Sequence, residues 1–318
     1  MKVAVLGYGT VGAGVYSMLS DAPGMEAGPV LVRPGKAVES FMVSDAALIF
    51  GDPTVDAVVE TLGGLDPAYS YGMRALEAGK HFITANKAMV AAHGLELAAL
   101  AREKGAAFLF SAACGGGVPF LHNLALSAET DRIEAVSGIL NGTTNYMLDA
   151  MQRRGLSYGD ALREAQSLGY AESDPTADVS GLDALRKMQL ACAVAFGVLP
   201  QSGMLCEGME HFTAADVEDI QSRGLVCRLM ARGSRAGESV SAYVEPVLFP
   251  RAAPESSVFT NNNMARYTGK RCGSIVLMGQ GAGRFPTASA VLRDLAAAQQ
   301  GARSMFPENC RAAEADNL

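Results

Sequence analysis

Lys2 to Leu6 reads KVAVL, and Gly7 to Gly12 reads GYGTVG. A short β-branched apolar run, a glycine-rich turn and the helical spacing of the apolar residues from Val11 to Leu19 predict strand, turn and helix in immediate succession. Gly7, Gly9 and Gly12 fit G-x-G-x-x-G within that context. The first glycine allows a tight turn, the second lets a pyrophosphate approach the backbone, and the third lets helix and strand pack while the helix N-terminus faces the anion. With 35 glycines in the chain the bare pattern would be weak. Its place between the first strand and the first helix is what marks a dinucleotide-binding turn, with Tyr8, Thr10 and Val11 contributing through their backbone.

Outward from this unit, apolar runs at Val30 to Val32, Asp56 to Glu60 (DAVVE), His81 to Thr84 (HFIT) and Ala106 to Phe110 (AAFLF) predict further strands. Pro67 to Ala78 and Ala88 to Lys104 read as helices between them. Continuous apolar strands alternating with helices predict an α/β fold with a parallel sheet covered on both faces. Gly115 to Pro119 (GGGVP) interrupts the pattern, and the period then changes. A strand near Arg132 to Ile139 is followed by an Asn-Gly turn, helices around Thr143 to Arg154 and Tyr158 to Leu168, and a long helix from about Val179 to Phe196. Strands at Leu225 to Arg232, Val240 to Leu248 and Ser274 to Met278 complete a second, α+β domain with a mixed sheet. The expected division is a dinucleotide-binding domain over 1–117, to which a helix at 284–300 returns. A substrate-binding, catalytic and dimerisation domain covers 118–283, and 301–318 is expected to be a frayed tail.

The 318 residues suggest about two domains at roughly 150 residues each. With 49% hydrophobic and 19% charged residues the chain can bury enough apolar surface to offset its ordering entropy, which excludes extended disorder. Lys and Arg total 26 against 33 Asp and Glu, a net charge of −7 without any basic block, so a nucleic-acid partner is not expected. The six cysteines form no C-x-x-C pair and read as reduced thiols outside any zinc site. The longest apolar run, Leu190 to Leu199, is too short to span a bilayer, and no signal-like segment opens the chain; a cytoplasmic location is expected.

Dinucleotide folds normally place an acid about 20 residues beyond the glycine turn to hold the ribose 2′-hydroxyl. This chain has Arg33 there, with Lys36 behind it, which suits a 2′-phosphate and favours NADP, with NAD possible if both are solvated surface charges. Asp183 and Lys187 lie at i and i+4, with Asp178 shortly before. Such spacing usually gives a surface pair of small energetic value. Here Met188, Leu190, Ala191, Cys192, Val194 and Ala195 make the helix apolar nearly all round, so it is expected to be buried, where an uncompensated charge would be costly. Glu172 and Asp174 add carboxylates in the preceding loop, and such a cluster around one ammonium suits a zwitterionic substrate. Lys87, just after the HFIT strand, falls at the carboxyl edge of the sheet where ligands bind. His81, His93, His122 and His211 read as packing or surface residues.

GYGTVG at Gly7 to Gly12, VVETLGG at Val58 to Gly64, GKHFITANKAM at Gly79 to Met89, GGGVP, GILNGTTNYML at Gly138 to Leu148, GYAESDPTADVSGLDALRK at Gly169 to Lys187 and GQGAGRFPTASAV at Gly279 to Val291 together resemble homoserine dehydrogenase. The likeness covers nearly the whole chain to about residue 300, and the chain resembles the short form without an ACT regulatory domain. The resemblance implies a Rossmann-type domain and a homodimer. It also implies the NAD(P)-dependent interconversion of L-aspartate 4-semialdehyde and L-homoserine on the route to threonine and methionine. By this likeness Lys187 is the general acid, Lys87 contacts cofactor and substrate, Glu172 and Asp183 hold homoserine with Gly142, Thr143 and Tyr170 around it, and Asp178 orients the site. Leu62 and Gly63 would line the cofactor, while Gly283 and Thr287 close over the nicotinamide. An ammonium that stabilises and protonates the alkoxide left by hydride delivery agrees with this assignment.

One departure concerns a cation. Relatives often bind sodium through a Glu four residues before the G-G-G run, where this chain has Ser111. The remaining ligands would be the backbone carbonyls of Cys114, Gly116, Val118 and Gly169, and loss of a carboxylate weakens such a site. Two other readings are a dehydrogenase of another small amino aldehyde, which would change the carboxylate set, and a non-catalytic dinucleotide sensor, which would lose the Lys187 pair.

Overall fold

The computed structural model describes residues 1–316. The opening unit is β1 (Lys2–Leu6) and α1 (Thr10–Leu19). It is followed by β2 (Glu26–Leu31), β3 (Met42–Val43), α2 (Ala47–Phe50), β4 (Ala57–Glu60), α3 (Ala68–Glu77), β5 (His81–Thr84), α4 (Lys87–Lys104) and β6 (Phe108–Leu109). The six strands form one wholly parallel sheet in the order β3-β2-β1-β4-β5-β6. This is the doubly wound arrangement, whose order reverses beside β1 and leaves a crevice at the carboxyl ends of the strands. Val3 to Leu6 and Ala57 to Val59 are fully buried, which is why these strands read as unbroken apolar runs.

The rest of the chain adds α5 (Phe120–Thr130), β7 (Ile133–Ile139), α6 (Gly142–Arg154), α7 (Tyr158–Ser167), α8 (Thr176–Val179) and α9 (Leu182–Phe196). Then come β8 (Val198–Ser202), β9 (Leu205–Cys206), α10 (Ala214–Ser222), β10 (Leu225–Ala236), β11 (Ser239–Pro250), β12 (Asn262–Gly269), β13 (Gly273–Gln280), α11 (Arg284–Gln299) and β14 (Arg311–Glu314). A mixed six-stranded sheet runs β13-β12-β7-β10-β11-β9, antiparallel except where β11 meets β9. α9 packs on one face of it so tightly that a Cβ at Gly233 of β10 would stand 2.5 Å from Cys192 Sγ. Among the described residues no helix is long and apolar enough to cross a membrane.

The chain divides into two compact units, Met1–His122 with Ala282–Cys310, and Asn123–Gly281 with Arg311–Leu318. The division falls inside α5, a few residues beyond the expected 117/118 boundary, and α11 belongs to the first unit, where Gly14 of α1 touches Arg284 and Ala288.

Four expectations need correction. The second strand begins at Glu26, not Val30, because Gly28 and Pro29 disguise its first half; Pro29 has no amide hydrogen, and the ladder to β1 shifts register between Val3 and Val5. The long helix begins at Leu182, not Val179, because Gly181 at φ 81° stands at its N-cap and sets it apart from the short α8. β12, with its Asn-rich start, escapes periodicity because its place is fixed by pairing with β7 and β13. The segment from 301 is not frayed as far as it is described: Ser304 bridges to Phe108, Met305 and Phe306 are buried, and β14 pairs in parallel with β8. Residues 317 and 318 lie outside the described residues.

Candidate active site

In the first unit, β1 delivers the chain into Gly7 at φ 97°, whose N–H donates to the Leu31 carbonyl at 3.0 Å. A Cβ on Gly12 would lie 2.1 Å from the Gly7 carbonyl oxygen, so α1 can pack on the turn only through a glycine. At Gly9 the same construction meets nothing within 4 Å. The turn is thus closed where helix meets strand and open where a pyrophosphate must approach. Gly9 is also the N-cap of α1 and offers no side chain to its first-turn amides, which belong to Thr10, Val11 and Gly12. These features fit a dinucleotide.

A cavity of about 1240 Å³ opens from this turn, lined among others by Tyr8, Arg33, Lys36, Glu39, Leu62 and Gly63. Arg33 and Lys36 are exposed just past the end of β2. Lys87, Gly283 and Thr287 belong to the same unit but lie off this lining. Lys87 is the first residue of α4; Gly283 caps α11, and its carbonyl accepts from the Thr287 N–H at 3.1 Å.

Sequence reasoning passed over Glu60 and Asn86, which build this edge. Glu60 is wholly buried at the end of β4. Its Oε1 accepts from the Leu62 and Gly63 amides at 2.6 and 3.1 Å, and its Oε2 from the Thr84 hydroxyl at 2.6 Å. Asn86 caps α4 through the Met89 amide and donates to the Gly64 carbonyl at 2.6 Å. One network therefore fixes both the Leu62–Gly64 turn and the helix start that carries Lys87. The only sequence signal was an acid closing a buried apolar strand.

In the second unit, the break at Gly181 turns Asp178 on α8 and Asp183 in the first turn of α9 toward the same partner. Asn141, the N-cap of α6, donates from Nδ2 to Asp178 Oδ1 at 2.7 Å and to Asp183 Oδ2 at 2.9 Å. Its Oδ1 accepts from the Thr144 amide and hydroxyl, so the amide group cannot turn around without losing the cap. Lys187 Nζ donates to Asp183 Oδ2 at 2.6 Å and to the Leu140 carbonyl at 2.7 Å. The side chains of Lys187 and Asp183 are only 13% and 11% exposed, so this is no surface ion pair. The Thr143 hydroxyl bonds the Tyr170 carbonyl at 2.5 Å and Asp178 Oδ2 at 3.3 Å. Burial pushes the Asp178 carboxyl up from its ordinary value; the Asn141 hydrogen bond offsets part of this, and the neighbouring Asp183 charge adds to it.

Gly142 begins α6 where a Cβ would come 2.7 Å from the Asn261 carbonyl. Tyr170 lays its ring edge-on to Tyr146 at 5.1 Å. Glu172 is exposed, and its carboxylate stands outside the hydrogen-bonded cluster; only its carbonyl is engaged, by Gln166. Asn141 is the residue that sequence reasoning missed here, because an Asn-Gly pair reads first as a turn.

Residues 7–111 match the family model described as the homoserine dehydrogenase NAD-binding domain, and residues 119–296 match the homoserine dehydrogenase model. A homoserine dehydrogenase of Synechocystis sp. is 37% identical over 93% of this chain and 72% of its own length. A crystal structure of a homoserine dehydrogenase from Thiobacillus denitrificans superposes with a TM-score of 0.91 at 33% identity, covering 99% of this chain and 79% of that one. A putative homoserine dehydrogenase from Archaeoglobus fulgidus gives 0.83 at 29% identity over 95% of this chain and 99% of its own. With the glycine turn on a doubly wound sheet, these matches define the chain as an NAD(P)-dependent oxidoreductase acting on a CH–OH group. Within that class the chain belongs to the homoserine dehydrogenase family.

Proposed function

We propose the following division of labour for the interconversion of L-aspartate 4-semialdehyde and L-homoserine. Held by the glycine turn Gly7 to Gly12, a bound reduced nicotinamide dinucleotide would supply the hydride for the aldehyde carbon. Lys187 donates a hydrogen bond to the carbonyl oxygen, stabilises the alkoxide as it forms and transfers its proton to give the alcohol; in the oxidation direction the neutral amine takes that proton back. Asp183 keeps Lys187 in place and, with Asp178, presents negative charge to the substrate ammonium, and Glu172 adds a further carboxylate from the exposed loop before α8. Thr143, Gly142 and Tyr170 shape the substrate side. Lys87, at the start of α4, serves the nicotinamide end of the cofactor, with Gly283 and Thr287. The observation that carries the assignment is the hydrogen-bonded set Asn141, Asp178, Asp183 and Lys187, in which the Lys187 and Asp183 charges are nearly withdrawn from water.

The test is kinetic. Glu172→Gln and Asp183→Asn keep shape and remove charge, so KM for homoserine should rise while KM for NADP stays within about twofold. A rise confined to the cofactor KM would reverse the roles, and equal turnover of other amino aldehydes would favour the broader reading of the substrate.

Arg33 and Lys36 on the cavity rim support NADP over NAD: two cations there outweigh the single Glu39 carboxylate for a 2′-phosphate. The mixed sheet supports a homodimer. On the face opposite α9, Tyr243, Arg232, Ser137, Arg266 and Val276 stand in one row across the strands. Met278, next to it, is 59% exposed. An antiparallel sheet face with apolar side chains in water is a surface for a second copy of the chain. Val276→Glu with Met278→Glu should convert a sedimenting dimer to monomer; a parent that sediments as a monomer would end this proposal.

A further inference from the structure

The family resemblance implies a monovalent cation held by the carbonyls of Cys114, Gly116, Val118 and Gly169, and the three of these in the first unit sit in a loop built in a way that does not fit one. The loop leaves β6 through a turn of 3-10 helix, Ser111–Ala113, and passes Gly115 and Gly116 at φ 85° and 52° before α5. At Ser111, where the cation's carboxylate would stand, the amide donates to Asp294 Oδ2 at 2.8 Å and the hydroxyl to Asp294 Oδ1 at 2.6 Å. Asp294 lies on α11 and is 1% exposed, so its carboxylate is sealed behind Ser111 and spent on it.

The preceding residue on α11 reaches the other end of the loop. Arg293 Nη2 donates to the Gly117 carbonyl at 3.0 Å, and its Nη1 lies 3.4 Å from Ser289 Oγ. Gly117 stands between Gly116 and Val118, two of the supposed ligands. The Val118 carbonyl already accepts from the Phe120 amide at 2.7 Å, and the Gly115 carbonyl from the Val118 amide at 2.9 Å. The guanidinium is half-buried, and its charge is felt at His122, which burial and Arg293 together hold below the ordinary histidine range. A permanent cation is therefore tethered to this turn at Gly117, and a second cation on the neighbouring Gly116 and Val118 carbonyls would be repelled at short range in a partly desolvated setting.

We propose that Arg293 takes the place of the monovalent cation in this chain: adjacent residues of one helix, Arg293 and Asp294, clamp the two ends of the Ser111–Gly117 loop, and the guanidinium fixes a positive charge at the Gly117 carbonyl, between two of the supposed ligands. This rests on membership of the family and not on the roles given above to Lys187 or Asp183, so either can fail alone.

The experiment compares thermal unfolding and kcat/KM in choline chloride, sodium chloride and potassium chloride at equal ionic strength. The parent should melt within about 1 °C in all three, with no excess ²³Na relaxation over a protein-free control. Arg293→Met removes the charge, and should melt lower and regain part of the loss in sodium but not in choline. Arg293→Lys keeps a cation and should stay insensitive to the choice of salt, which tests the proposal even if the methionine variant does not fold. A saturable, sodium-specific rise in the parent's melting temperature, or a lysine variant that becomes sodium-dependent, would overturn it.

Discussion

Lys187 Nζ lies 2.6 Å from Asp183 Oδ2, one helical turn earlier on α9, and the two side chains are each little more than a tenth exposed. An exposed pair with this spacing would contribute typically 0.3–0.5 kcal/mol. Withdrawn from water, the pair is held by complementarity instead: losing one partner strands the other charge, a loss of about 3–5 kcal/mol. The second acceptor for the ammonium, the Leu140 carbonyl, comes from the end of β7, so sheet and helix fix the lysine from two directions.

Asn141 ties this pair to Asp178. Because its hydrogen bond holds the Asp178 carboxyl down against burial, Asn141→Ala should raise that carboxyl further, and the acidic limb of the kcat/KM profile should move to higher pH. Asn141→Asp should keep the Thr144 cap but place a third carboxylate in the cluster. With its donor replaced by a like charge beside Asp178 and Asp183, it should restore neither stability nor rate. A profile that does not move in Asn141→Ala would leave Asn141 a helix cap and nothing more.

Replacing both Arg33 and Lys36 with Ala should weaken NADP and leave NAD nearly unchanged. Each charge-assisted hydrogen bond to a phosphate contributes about 1.5–3 kcal/mol, which is roughly tenfold or more in the ratio of kcat/KM for the two cofactors. Both side chains are exposed, so added salt should reduce the parent's NADP preference. A parent that already prefers NAD would contradict the assignment.

Burial pushes the Asp294 carboxyl up from 3.8 to about 7, against the pull of the Ser111 hydrogen bonds. With a folded-state value above the unfolded one, its contribution is fully present below about pH 4 and is lost as pH rises through 7. The difference in unfolding free energy between the parent and Asp294→Asn should therefore move in the variant's favour across that window, by up to about 4 kcal/mol. Chemical denaturation at pH 5 and pH 8 measures it, and a difference independent of pH would show that Asp294 stays ionised throughout.

What could be read in advance follows from how far apart the interacting residues stand in the chain. The glycine turn is local, since three glycines and the flanking strand and helix fall within the first 19 residues. Asp183 and Lys187 are local too, one turn apart on a helix whose apolar composition announces burial. Asn141 meets its carboxylates across 37 and 42 residues, and Glu60 meets Thr84 across 24, distances that periodicity does not span. The tail was misread for the same reason: β14 looks polar and small, and only its ladder with β8, more than 100 residues earlier, makes it a strand. Gly181 was legible as a residue but not as the helix start, because the apolar spacing begins at Val179 and its left-handed conformation is not visible in composition.

The most direct measurement is the single-turnover reduction of L-aspartate 4-semialdehyde by NADPH in the parent and in Lys187→Met, with cofactor affinity taken from nicotinamide fluorescence. General acid loss typically costs 10²- to 10⁴-fold in rate. Lys187→Met should lose rate in that range while its NADPH Kd stays within about twofold of the parent. A variant that turns over within about threefold of the parent would contradict the general-acid role.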